Sequence, residues 1–251
     1  MTWEKKVKSG SMRLFFCSVL LLMTVASGKR LEADTESVTA GAAPPSSGKG
    51  DGVYLQKPFS SSLSREAQAN NITNPYVDGT AASFSWSELE PTEGDFQWRI
   101  VEETIQPWAA AGKKVILGVH TGTVGTIGRK VKQATPEWVF SSGARKMKVP
   151  DGTILPIYWD PIYFEKYRNF VKAFAKKYDG DPRIEFIRIG VGVWGELVVE
   201  RWFPRPENAE MRERWKKAGY DPERWIQTIE KTMEMYREAF QKTPCAIQVM
   251  R

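Results

Sequence analysis

The sequence predicts an α/β fold of the parallel-barrel type, (β/α)8, of which about the first five strands are present. Three observations carry this. Short β-branched apolar runs alternate with longer segments of helical period, the order that builds a parallel sheet. Residues 184–196, Ile-Glu-Phe-Ile-Arg-Ile-Gly-Val-Gly-Val-Trp-Gly-Glu, read as one strand of period two. Ile187, Ile189, Val191 and Val193 fall on one side and Arg188, Gly190, Gly192, Trp194 and Glu196 on the other. That run ends at a carboxylate, and parallel barrels place their chemistry at the C-terminal ends of strands.

In order along the chain, residues 1–28 read as a leader. Met12-Arg13 precedes the apolar run 14–26, which meets Ser27 and Gly28, the three regions of a secretory signal peptide, with Met12 as a candidate start. The run is shorter than the ~20 residues that span a bilayer, so the expectation is a secreted or periplasmic protein with no stable membrane insertion; a retained N-terminal anchor is the alternative. Residues 29–51, rich in Ala, Gly, Pro and Ser, read as a flexible linker. Ordered sequence is expected over 52–251, starting with a short strand at 52–56 and a loop at 70–79. A second strand at 81–86 runs into a turn. Trp98, Val101, Ile105 and Trp108 then mark a helix, with Asp95 as its expected cap and Gly112 closing it.

A third strand spans 114–120 and leads into the glycine-bearing loop 121–128. A long connection follows through Trp138 and Trp159. Tyr163, Tyr167, Phe170, Val171, Phe174 and Tyr178 then lie along one face of a helix that stops at Asp179-Gly180-Asp181-Pro182. After residue 196 the sequence reads as an Arg-rich loop. Asp221-Pro222 opens a helix expected to bury Trp225, Ile229, Met233, Tyr236 and Phe240, and 246–250 begins a fifth strand. A closed barrel takes eight strands.

Composition removes several function classes. The 251 residues are 41% hydrophobic and 12% aromatic, enough for a core. The formal charge of +6 is spread through amphipathic segments, so no nucleic-acid partner is expected. Two cysteines and a single histidine disfavour a disulfide framework, a His- or Cys-based metal centre and a Ser-His-Asp triad; no cofactor or metal is expected.

The candidate catalytic residue is Glu196. A glutamate at a barrel mouth beside Trp194 can have its pKa raised by desolvation, as a general acid requires; the competing structural role is a cap or an ion pair with Arg201. Indole faces stack on the C–H faces of sugar rings, which makes Trp194, Trp159, Trp86, Trp138 and Trp202 candidate binding residues. Glu88 and Glu90 are read as hydroxyl ligands or as turn and cap residues. His120 ends the third strand on the functional side, and is read as a ligand-hydroxyl contact or as a structural hydrogen bond. Gly118 and Gly122 beside it read as space and turn requirements, since no Lys-Ser or Lys-Thr follows to make a phosphate cradle.

Two tracts resemble a known family. Trp86-Ser87-Glu88-Leu89-Glu90-Pro91-Thr92-Glu93-Gly94 with Trp98 and Gly112-Lys113 is similar to the second strand and helix of the β-galactosidase-like TIM barrels of glycoside hydrolase family 42, clan A. Tyr178-Asp179-Gly180-Asp181-Pro182-Arg183-Ile184, continuing to Gly192-Val193-Trp194-Gly195-Glu196, is similar to the fourth-strand region of the same clan. The resemblance implies a retaining glycosidase with its general acid/base after strand four, which falls on Glu196, and its nucleophile after strand seven, which is not in this chain. It also implies an oligo- or polysaccharide as partner. The clan's Asn before the acid/base is here Gly195. A non-catalytic carbohydrate-binding barrel or an inactive fragment is the alternative.

Overall fold

The computed structural model describes residues 52–56, 65–123, 133–150, 152–199 and 209–248. The expected leader and linker, together with Arg201 and Trp202, lie outside them. The elements are β1 (Tyr54–Gln56), α1 (Arg65–Thr73), β2 (Gly79–Ser85), α2 (Trp86–Leu89), α3 (Trp98–Ala110), β3 (Lys114–His120), α4 (Glu137–Ser141), β4 (Lys146–Lys148), β5 (Ile154–Pro156), α5 (Pro161–Tyr178), β6 (Ile184–Arg188), α6 (Ala209–Lys217), α7 (Pro222–Ala239) and β7 (Cys245–Ala246). Five strands form one wholly parallel sheet in the order β1-β2-β3-β6-β7, and β4-β5 is a separate antiparallel hairpin. A doubly wound sheet reverses its strand order at a switch point. Here the order follows the chain without reversal, the winding of a barrel wall. The five strands are the wall of an incomplete barrel.

Three helices, α3, α5 and α7, form where the sequence predicts them. On α5 the Asp160 carboxylate accepts from the N–H groups of Ile162 and Tyr163, and Pro161 occupies the first turn. Its apolar face is a ladder of rings: Tyr163, Tyr167, Phe170, Phe174 and Tyr178 are all nearly inaccessible, with successive centroids 5.3 to 6.2 Å apart. Burying a phenylalanine ring contributes about 1.5–3 kcal/mol, so this one face is a large share of the core. On α7 the Asp221 side chain accepts from Arg224 N–H at 2.9 Å. Its buried face is Trp225, Thr228, Thr232, Met235 and Tyr236, with Ile229 and Met233 half-buried. The face is rotated from the apolar stripe because two threonines turn inward and bond to carbonyls one turn back, at 2.8 Å each.

Four expectations need correction. The loop placed at 70–79 is helical through Thr73, in a helix too polar to show an apolar period. The α3 cap is Gln97; Asp95 instead accepts from the Gln97 side chain and bridges Thr92. The connection after β3 contains α4 and the β4-β5 hairpin, elements of three to five residues held by tertiary packing. The strand read over 184–196 is paired as a strand only to Arg188. Val115 pairs with Ile184 while Leu117 pairs with Ile187, so three steps of β6 face two of β3. That bulge bends β6 away, as an extra residue in a ladder does.

Asp179 ties the end of α5 to the entry of β7, accepting N–H bonds from Gln241, Lys242 and Thr243 at 3.1, 2.9 and 2.8 Å. Burial by itself would raise its carboxyl, but these donors hold it below the usual carboxylate range. A group with a depressed folded pKa contributes stability above its unfolded pKa and loses it as pH falls through the folded value. Asp179→Asn is therefore expected to lower urea-unfolding stability by about 1–3 kcal/mol at pH 7, with the gap to the parent closing in acid. A gap that persists at low pH would refute the assignment.

Candidate active site

Three neighbouring strands place one residue each in a single row, Ser83 on β2, Gly118 on β3 and Arg188 on β6. The Arg188 guanidinium crosses the row and donates to Ser83 Oγ. It passes over Gly118, where a Cβ would stand 3.0 Å from Arg188 Nε and 3.2 Å from Ser83 Oγ. Two residues further along, Ser85 pairs with His120. His120 is 6% exposed, and burial, opposed by the charge of Glu88 and reinforced by that of Arg188, lowers its pKa to about 4. The imidazole is neutral at ordinary pH.

Beyond Arg188 the chain leaves the ladder and folds into a rim loop. Gly192, Trp194 and Gly195 all have left-handed φ, at 71, 56 and 77°. Trp194 is the non-glycine case, a conformation that costs of order 1–3 kcal/mol and persists only where the surroundings impose it. They do: Trp194 N–H donates to Gly122 O at 2.8 Å, and Val193 N–H donates to Val198 O at 3.0 Å. A Cβ on Gly192 would lie 2.3 Å from Val198 O. The loop is anchored from below by α5, whose Tyr167 hydroxyl donates to Gly190 O at 3.1 Å and pairs with the Tyr236 hydroxyl at 2.8 Å. One turn earlier, Tyr163 donates to Thr121 Oγ1 at 2.7 Å and so steadies the loop after β3.

Glu196 is presented by this loop. Its carboxyl accepts from Gln248 Nε2 at 3.3 Å, just past β7. Burial raises its pKa and the Arg188 charge partly opposes the rise. At the carboxyl ends of β2, β3 and β6, Arg188 and Glu196 therefore act on each other electrostatically, and Arg188 and Glu88 both act on His120. A half-buried carboxyl with a raised pKa that feels the charge of a nearby arginine has the makings of a proton donor.

The other sequence-derived candidates divide. Trp194 is half-buried on the same loop as Glu196. Glu88 sits at the site but also closes the capping box of α2, accepting from Ser85 N–H at 3.1 Å and Ser85 Oγ at 2.7 Å. Trp86 has no exposed surface; its ring is enclosed by Trp138, Tyr163, Tyr167 and Phe170, and its Nε1 donates to Glu90 at 2.7 Å. As a stacking platform Trp86 is corrected to a core residue. Trp138 packs edge-on to it and donates to Glu90 O at 3.0 Å. Glu90 itself is buried and also accepts from Gly94 N–H at 2.8 Å, the turn role. Trp159 donates to Ala218 O at 3.1 Å and packs on Trp215 and Tyr220, joining the start of α5 to the end of α6. Gly122 leaves room for Tyr158, whose hydroxyl would stand 2.3 Å from a Cβ there. Arg188, Ser83 and Gln248 were not singled out from sequence. The available signal was the inward parity of Arg188 opposite a glycine.

Comparisons with known proteins bear on the family and the fold. The family model described as beta-galactosidase, glycoside hydrolase family 42, matches residues 65–240. Beta-galactosidase BglY of Alicyclobacillus acidocaldarius is 28% identical over 130 residues, 49% of this chain and 16% of that protein. Beta-galactosidase BgaA of Thermus sp. is 26% identical over 165 residues, 62% of this chain and 23% of that protein. The chain thus spans less than a quarter of these curated relatives. The cold-adapted beta-galactosidase of Rahnella sp. R3 superposes with a TM-score of 0.50 at 13% identity, over 79% of this chain and 35% of that one, a likeness of fold.

The rim loop makes two checkable demands. Gly192→Ala is expected to destabilise by about 1–2 kcal/mol from the left-handed backbone alone, with the clash at Val198 adding to it. Tyr167→Phe, which leaves the Gly190 carbonyl one donor short, is expected to cost about 1–3 kcal/mol. Chemical denaturation reads both; parental stability in either variant would contradict the geometry.

Proposed function

This chain belongs to glycoside hydrolase family 42, the beta-galactosidase family, and from that membership we propose that it acts on the glycosidic bond of an oligo- or polysaccharide by a retaining mechanism in which Glu196 is the general acid/base. The observation that carries the reading is the position of Glu196: the loop after β6, the fourth strand of a sheet in barrel order, with burial raising its pKa. Retention needs one carboxyl held protonated for the leaving oxygen and a second about 5–5.5 Å away to attack the anomeric carbon. Glu196 donates its proton to the departing oxygen. As a carboxylate it then removes a proton from the water that releases the sugar. The nucleophile is assigned to the family's seventh strand, beyond the five described. Trp194, on the same loop, supplies an apolar face for the sugar ring, and neutral His120 and Glu88 supply hydrogen-bonding groups at the strand ends. The apolar leader at 14–26 supports secretion.

The test is turnover of a panel of aryl glycosides by the full-length form that carries the seventh strand. Glu196→Gln is expected to lower kcat by about 10²- to 10⁴-fold with unfolding stability unchanged. In the parent, activity falls as pH rises through the raised pKa, because the donor must be protonated. Parental turnover by Glu196→Gln would remove Glu196 from the mechanism.

A further inference from the structure

Arg188 is an unusual residue to find on the inner face of a barrel wall. Its side chain is half-buried, and an arginine drawn partly out of water is ordinarily repaid by a carboxylate in direct contact. Here the hydrogen-bonding partner is the neutral hydroxyl of Ser83, and the side chain passes close over Gly118, where a Cβ would crowd it at 3.0 Å. Arg188 pairs across the sheet with Ala246, and two residues past Ala246 the Gln248 amide holds the Glu196 carboxyl, so the guanidinium and the carboxyl lie at the same end of neighbouring strands; each charge opposes the effect of burial on the other. Among the described residues, the other groups in this region carry different roles. His120 on β3 is neutral, Glu88 on α2 acts on His120, and Gln248 after β7 is an uncharged donor to Glu196.

We propose that Arg188 is a positioning residue for Glu196: held across the sheet by Ser83 in the space Gly118 leaves, its guanidinium is the fixed counter-charge that lets the rim carboxyl alternate between its protonated and ionised forms. The inference rests on the acid/base reading of Glu196 and deepens it. A double displacement uses that carboxyl in both forms, protonated when the leaving group departs and ionised when water attacks. Burial alone favours the protonated form. A nearby cation that does not bond the carboxyl directly restores access to the ionised form without locking it there.

The experiment follows the carboxyl itself. The chain is labelled with glutamate carrying 13C at the side-chain carboxyl, and the Glu196 resonance is assigned by its loss in Glu196→Gln. The parent resonance is expected to titrate above the usual carboxylate range. In Arg188→Gln its midpoint moves higher still, and in Arg188→Lys, which keeps the charge, it returns toward the parent. Ser83→Ala, which releases the guanidinium, is the milder variant and is expected to move the midpoint upward if Arg188→Gln fails to fold. A midpoint unmoved in the folded variants overturns the proposal. In the turnover assay, Arg188→Gln extends the alkaline limb of the profile upward, and Arg188→Lys restores it; a loss of activity with an unshifted limb is the mark of a merely structural role and also overturns it. The outcomes separate the two readings: parental turnover by Glu196→Gln removes the acid/base role, whereas the titration of Glu196 reports on Arg188 with or without catalysis.

Discussion

The carbonyl of Gly190 is the point on which the rim depends. It leaves the sheet just past β6, in the buried layer, where an unpaired backbone acceptor would be costly. The Tyr167 hydroxyl meets it, with the Tyr236 hydroxyl of α7 joined to the same pair. Both hydroxyls have their pKa values raised by burial, so they stay neutral donors. This node joins the sheet to the two longest helices. Because Tyr163 sits one helical turn before Tyr167 and holds Thr121, α5 also sets the height of one rim loop against the other. The aromatic ladder below makes α5 stiff enough to serve as that reference.

From this node outward, the rim is built by exclusion as much as by contact. Gly118 gives a guanidinium its path, Gly122 gives a tyrosine its space, and Gly192 lets the loop close on Val198. Each glycine marks where a second group must pass. The result is a small electrostatic system with a raised carboxyl, a fixed cation and an imidazole kept neutral, set at the end of a strand where a parallel barrel opens to its substrate. The tryptophans divide along the same line. Trp194 is carried on the rim, while Trp86 and Trp138 hold the turn after β2 from within, bonded to the two ends of Glu90.

Legibility in the sequence followed the range of the forces involved. α5 could be read from its aromatic face, and α7 from a cap, a first-turn proline and an apolar face that lie within a few residues of one another. β3 could be read to its boundaries, since a strand buried along nearly its whole length is a continuous apolar run. The polar α1, the short α4 and the β4-β5 hairpin could not, because no local period distinguishes segments stabilised by what they pack against. The reading of 184–196 as one strand shows the intermediate case. The alternation of side chains continues to Glu196, but ladder pairing is lost after Arg188, and a period of two does not register a missing partner.

What the sequence alone determined is the parallel α/β class and the order of its main elements, with Glu196 as a candidate after the fourth strand, because hydrophobic period, capping chemistry and local motifs are written within short windows of chain. What the tertiary structure decided is the company that glutamate keeps. Arg188 reaches Ser83 across 105 positions of chain, and Gln248 meets Glu196 across 52. Neither encounter has a local signature, because each is created by strand register and by the glycines that let distant side chains share a row.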